Sequence, residues 1–246
     1  MQLLIELQKI DQFILPVNYN YLLQSMIYNL LKNKEDLSAQ LHERGYPLED
    51  KHFKLFTFSL LQGQYKMQGK RIEFLDKVRF EIRTIDQSIL FTIAEALSNL
   101  NELRIGRNLV KILNVKIGEK KLTGTSYKIR MISPLVVRST DADTKKTLYY
   151  NPFDTEFKSR IMENFERKYQ AYYHKAPTGR FDIEPINFSL KNKFVTKYKG
   201  YLITGWKGEF EIRGDAEVLD FLYQVGLGEK NSMGFGMNYQ DRKSVV

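Results

Sequence analysis

The chain has 246 residues, enough for one large domain or two small ones around a buried core. Lys and Arg number 38 against 29 Asp and Glu, a formal charge of +9 that points to a polyanionic partner. With no cysteine and only three histidines, disulfides and thiolate zinc sites are excluded and a histidine-rich metal site is disfavoured, so no metal or other cofactor is expected.

The N-terminus, Met-Gln-Leu-Leu-Ile-Glu-Leu, lacks a basic n-region and is interrupted by Glu6, unlike a signal peptide. No apolar run nears the roughly 20 residues that span a bilayer, so a cytoplasmic protein is expected. Residues 3–7 and 13–15 read as opening strand, which Pro16 breaks, and Asn18 or Asn20 is placed to cap the next helix. Over 21–32 the apolar residues Leu22, Leu23, Met26, Ile27, Leu30 and Leu31 recur at helical spacing. Tyr28 falls off that stripe, on the flank with Tyr21, Gln24 and Ser25, where its hydroxyl stays available.

Asp36 or Ser38 can cap a short helix through Leu37 and Leu41, which Gly45 and Pro47 end. His42 then sits in its last turn, where a helix C-terminus favours imidazolium. Residues 52–61, rich in aromatics, read as a strand, as do 71–74 and 78–82. Residues 86–100 read as a helix and the basic stretch 103–110 as a strand. This order is the β-α-β-β-α-β of a ferredoxin-like unit.

A second unit follows from strands at 112–117 and 128–131, a helix at 154–173 and an antiparallel set at 180–190, 194–198 and 201–213. A helix at 216–224 and a final strand complete it. The turn-like run Gly118-Glu-Lys-Lys-Leu-Thr-Gly124 marks the division. The expected class is therefore α+β, with two tandem ferredoxin-like domains over 1–118 and 119–246. No sequence repeat relates the halves.

The most distinctive segment is Val225-Gly-Leu-Gly-Glu-Lys-Asn-Ser-Met-Gly-Phe-Gly-Met237. It is no Walker A loop, because Lys230 follows Glu229 and strand-like sequence follows the last glycine. It is no dinucleotide fingerprint, because the third glycine comes six residues after the second. Glycines there permit positive φ and close backbone approach, and successive N–H groups can form an anion nest beside Lys230. A phosphodiester backbone is the natural ligand; a glycine-rich connection without ligand is the other reading. The expected RNA-binding set is Gly226, Gly228, Lys230, Asn231, Ser232, Gly234 and Gly236.

This paired Gly-hydrophobic-Gly pattern with a lysine-bearing spacer resembles the C-terminal signature of the CRISPR-associated repeat-RNA endoribonucleases of the RAMP superfamily. Leu41-His42-Glu43 followed by Lys54-Leu-Phe-Thr-Phe-Ser59, the helix around Tyr28, and Ser133-Pro134-Leu135 extend the resemblance over most of the chain. It implies metal-independent cleavage of CRISPR repeat RNA into guide RNAs, with His42, Tyr28 and Lys54 as the catalytic set. In that chemistry the ribose 2′-OH is the nucleophile, so the protein supplies only proton transfer and charge stabilisation. The ends left are a 2′,3′-cyclic phosphate and a 5′-hydroxyl.

His52 is a rival histidine, His174 follows two tyrosines at a helix end, and Lys51 is three residues from Lys54. The ten-residue stretch between Glu43 and Lys54 is longer than the family pattern and bears on where the lysine sits. Repeat RNA is the expected partner, with other interference-complex proteins and a homodimer left open. A non-catalytic repeat-RNA binder of the same fold is the alternative.

Overall fold

The computed structural model describes residues 1–32 and 45–240. The short helix expected before Gly45, and His42 with it, lies outside the described residues. The first half begins with β1 (Gln2–Lys9), β2 (Phe13–Pro16), α1 (Asn20–Leu31), β3 (Tyr46–Leu48), β4 (Lys51–Phe53) and β5 (Phe56–Phe58). It continues through β6 (Gln62–Gln68), β7 (Arg71–Thr84), α2 (Gln87–Ser98), β8 (Glu102–Ile105) and β9 (Asn108–Gly118).

In the first sheet, β1 lies between β7 and β9, and β5 pairs with β7, all antiparallel. Reading β1, α1, β5, β7, α2 and β9 in order gives the ferredoxin-like unit with strand order β9-β1-β7-β5. Helices α1 and α2 cover one face because their apolar stripes meet alternate residues of the strands. Leu23, Ile27, Ile89 and Ile93 are buried with Leu3, Ile5, Leu7 and Phe80 in one core.

The second half contains β10 (Ser126–Met131), β11 (Arg138–Thr140), β12 (Thr147–Tyr149), α3 (Phe157–Tyr173) and β13 (Phe181–Ile186). Next come β14 (Lys193–Tyr198), β15 (Tyr201–Trp206), β16 (Glu209–Gly214), α4 (Ala216–Val225) and β17 (Asn238–Gln240). The sheet order β13-β16-β10-β17, again antiparallel, repeats the topology of the first half. The hairpins β11–β12 and β14–β15 are additions to it. Phe165 anchors this core, edge-on to Phe181 and Phe221 with ring centroids 5.5 and 5.9 Å away.

Several local expectations shift. The basic stretch 103–110 is a hairpin, because Gly106 takes φ +61 and turns β8 into β9. The run 201–213 is two strands separated at Gly208, where φ is +138 and an added Cβ would lie 2.6 Å from the Phe188 ring. Strand β6 has no alternation, since every residue in it is exposed; pairing along β7 holds it. Neither asparagine caps α1: Tyr19 takes the N-cap position without a side-chain bond.

Candidate functional site

The glycine loop joins α4 to β17 and folds back on itself. Gly226, Gly228, Gly234 and Gly236 take φ of +86, +61, +83 and +75, values that disfavour any side chain. All four are buried. A Cβ on Gly228 would lie 2.4 Å from the Val136 carbonyl oxygen, and one on Gly236 would lie 2.0 Å from that of Leu227. Glycine is thus required by close approach of the protein's own backbone. Several loop N–H groups are spent internally: Leu227 donates to Gly236, Gly236 to Pro134 and Glu229 to Val136, at 2.9, 2.9 and 2.8 Å.

Inside the loop, Asn231 is buried and its Nδ2 donates to the carbonyls of Leu227 and Phe235 at 3.0 and 3.1 Å. Its Oδ1 accepts from Lys168 Nζ at 2.6 Å, and the same ammonium donates to the Gly226 and Gly228 carbonyls at 3.0 and 2.6 Å. Burial pulls the Lys168 pKa down to about 7, with nearby Glu229 opposing. A mid-helix lysine ordinarily reads as solvated, and the sequence reading passed over it. The signal was its phase: Lys168 lies seven residues after Ile161 and three after Phe165, on the apolar stripe of α3.

Helix α1 clasps the outer side of the loop. Asn20 Nδ2 donates to the carbonyls of Met233 and Gly234 at 3.2 and 3.1 Å, and Gln24 Nε2 donates to that of Ser232 at 2.7 Å. From β5, Thr57 Oγ1 donates to the Phe235 carbonyl at 3.1 Å. Tyr198 of the β14–β15 hairpin hydrogen-bonds Gln24, and Asn18 Nδ2 reaches the Lys197 carbonyl at 2.8 Å. Asn20, Gln24 and Tyr28 are spaced four apart and share one helix face. Tyr28 is half-buried, edge-on to Phe56 at 6.1 Å, and burial raises its phenol to about 12.

A groove of about 720 Å³ opens beside the loop. Lys54, Lys230, Asn231 and Ser232 line it together, with His52 and Lys51 at one end and the β11–β12 hairpin along another side. Eight of its lining residues are Lys or Arg and four are Asp or Glu, so it is a cationic channel. Arg138 pairs with Glu229 at 2.7 Å. Burial lowers the pKa of both Lys54 and Lys230, with Arg138 adding to the effect at Lys230.

The extra stretch before Lys54 forms the β3–β4 hairpin, turned at Glu49 with φ +54. It packs on α3 through Tyr46 and Tyr172, with ring centroids 5.4 Å apart. The lysine so delivered keeps its stem against Gly45, where an added Cβ would meet Lys54 Cδ at 3.2 Å.

The structure therefore brings Lys54, Lys230 and Ser232 to one groove, with Tyr28 on the helix that clasps its loop; His42 lies outside the described residues. His174 is exposed at the C-cap of α3 with φ +56 and is not among the groove's lining residues. A larger cleft, about 990 Å³, lies between the two sheets and contains none of these residues. Buried Arg83 lines it, donating to the Asn238 carbonyl at 2.6 Å with its guanidinium 3.9 Å above the Tyr223 ring. Among the described residues, no group of three or more His, Cys, Asp or Glu is placed to hold a metal, and no helix is long and apolar enough to cross a membrane.

Family models for the N-terminal and C-terminal parts of the CRISPR-associated protein Cas6 match residues 14–116 and 117–238. The CRISPR-associated endoribonuclease Cas6 of Pyrococcus furiosus is 30% identical over 231 residues, spanning 92% of this chain and 83% of that protein. CRISPR-associated endoribonuclease Cas6 1 of Methanocaldococcus jannaschii is 28% identical over 254 residues, spanning 98% and 94%. A solved Cas6-related protein from Pyrococcus furiosus superposes with a TM-score of 0.85 at 25% identity, covering 99% of each chain. A solved RAMP protein described as binding different RNA substrates gives 0.83 at 27% identity, covering 98% of this chain and all of that one.

Proposed function

The chain belongs to the Cas6 family, and from that premise we propose that it is an endoribonuclease cutting CRISPR repeat RNA within precursor transcripts to give guide RNAs. The observation that carries this reading is the cationic groove in which Lys54 meets the polar tip of the glycine loop. RNA phosphates lie along that groove, held by Lys230 and Ser232, as charge and donor placement favour.

Cleavage proceeds by attack of the ribose 2′-oxygen on the adjacent phosphorus while the 5′-oxygen departs. The 2′-hydroxyl proton leaves to a base and a proton is returned to the 5′-oxygen. The products are a 2′,3′-cyclic phosphate and a 5′-hydroxyl. His42, three positions before Gly45 in the sequence, is assigned the proton transfers, since imidazole titrates near neutrality. Lys54 steadies the charge that builds on the phosphorane. Tyr28, with its phenol held protonated, serves as a hydrogen-bond donor on the nucleophile side. The reaction needs no metal, and its dependence on the 2′-hydroxyl confines it to RNA.

On the same reading the protein works in the cytoplasm, with interference-complex proteins as candidate partners and a homodimer as a candidate assembly. The test is labelled repeat RNA incubated in EDTA, alongside the same RNA with a 2′-deoxy nucleotide at the cut site. Cleavage persists in EDTA, disappears with the deoxy substrate, and is abolished in His42→Ala while affinity stays nearly intact. A fully active His42→Ala moves the assignment to His52; binding with no cut even in the wild type makes the protein a non-catalytic repeat-RNA binder.

A further inference from the structure

We infer that Lys168 is a positioning residue for the groove: its buried ammonium pins the glycine loop so that Lys230 and Ser232 line the groove with Lys54. The inference rests on the proposed function, which makes that groove the RNA site.

Lys168 reaches the groove wall but is only 4% exposed, and its ammonium is spent on the loop. A buried ammonium is costly unless all its protons are bonded, and a methionine would fill the same space without that cost. Here three acceptors match three protons, and all three belong to the loop. Two lie at its start, the carbonyls of Gly226 and Gly228. The third is Asn231 Oδ1, whose opposite end ties Leu227 to Phe235. One lysine therefore fixes both limbs of the loop through one asparagine.

The consequence for the groove is geometric. Asn231 is buried with its amide bonded inside the loop, while Lys230 and Ser232, which line the groove beside it, are partly exposed. Holding residue 231 fixes the direction of residues 230 and 232. Lys230 sits at φ +61, a conformation it keeps only while the surrounding backbone is constrained. Neither a solvated helix face nor a direct phosphate contact accounts for a lysine bonded in this way.

The test is a double-mutant cycle with Lys168→Met and Lys230→Ala, reading affinity for repeat RNA blocked by a 2′-deoxy nucleotide at the cut site. Each single change weakens binding about tenfold, and the double mutant stays near tenfold, because an unpinned loop no longer presents Lys230. With cleavable RNA the loss appears in KM, kcat changing less than about threefold. Amide exchange over 226–236 quickens in Lys168→Met while the strands of both sheets keep their protection.

If Lys168→Met fails to fold, Asn231→Ala breaks the same link from the loop side and shows the same coupling to Lys230→Ala. Penalties that multiply to about a hundredfold, or a loop whose exchange is unchanged, overturn the inference while leaving the proposed function standing. A wild type that neither binds nor cuts repeat RNA removes both.

Discussion

Asn20 Nδ2 donates to the carbonyl of Gly234 at 3.1 Å, a bond between residues 214 positions apart. It joins the first turn of α1 to the last third of the glycine loop, and Gln24 repeats the contact one turn further on. The helix that bears Tyr28 and the loop that bears Lys230 are thus one mechanical unit. A ferredoxin-like pair needs no such link for its two cores; the link sets the relation between two residues that the proposed function assigns to one substrate.

Replacing Asn20 with alanine leaves the Met233 and Gly234 carbonyls short of a buried donor. The expected cost is about 1–3 kcal/mol, the range for orphaning buried hydrogen-bonding groups. Thermal or urea unfolding measures it. Because Thr57 holds the next carbonyl along, the loss from Thr57→Val is expected to be coupled to it, not additive. Strict additivity would mean the two contacts act on separate parts of the structure.

How far the sequence alone reaches is visible at particular residues. Periodicity placed the long helices, because amphipathic patterns survive any packing partner. The strand and helix order pointed to a repeated topology, although residues 112–117, read as opening the second unit, are the end of β9 in the first sheet. The glycine loop was legible as a special segment, but its glycines looked like a bare cradle for a ligand. What the sequence did not show is their close packing against Val136, Leu227 and the Phe58 ring, a tertiary fact with no local signature. Asn18 and Asn20 read as helix caps because that is what asparagine does locally; the partners that claim them lie far along the chain. Lys168 was hidden by its charge, although its phase on α3 marked it as inward-facing.

The glycines differ sharply in what they tolerate. At Gly236 an added Cβ would sit 2.0 Å from the Leu227 oxygen and 2.4 Å from Asn231 Nδ2. Gly236→Ala is therefore expected to cost several kcal/mol, about 3 or more, since backbone must move in a packed site. Gly69, in the β6–β7 turn, has φ +59 but nothing within 4 Å of its Cβ position. Gly69→Ala should cost only the left-handed strain of about 1–2 kcal/mol. Unfolding of the two variants side by side checks the contrast; equal losses would show that φ alone sets the demand for glycine.

The pH profile separates the roles given to Lys54 and Tyr28. Burial lowers the Lys54 pKa from its ordinary 10.5, so its charge is present at low pH and is lost as pH rises through that depressed value. If the charge steadies the phosphorane, kcat at saturating RNA, which the KM contribution of Lys168 does not enter, falls on an alkaline limb below pH 10.5, and Lys54→Arg moves the limb upward because guanidinium stays protonated. The Tyr28 phenol, pushed up to about 12 by burial, keeps its proton across the same window. Tyr28→Phe then lowers the rate by about ten- to a hundredfold, the scale of one lost donor, without moving either limb. A profile whose alkaline limb disappears in Tyr28→Phe and persists in Lys54→Arg would exchange the two roles, making the phenol the titrating group and the lysine a fixed charge.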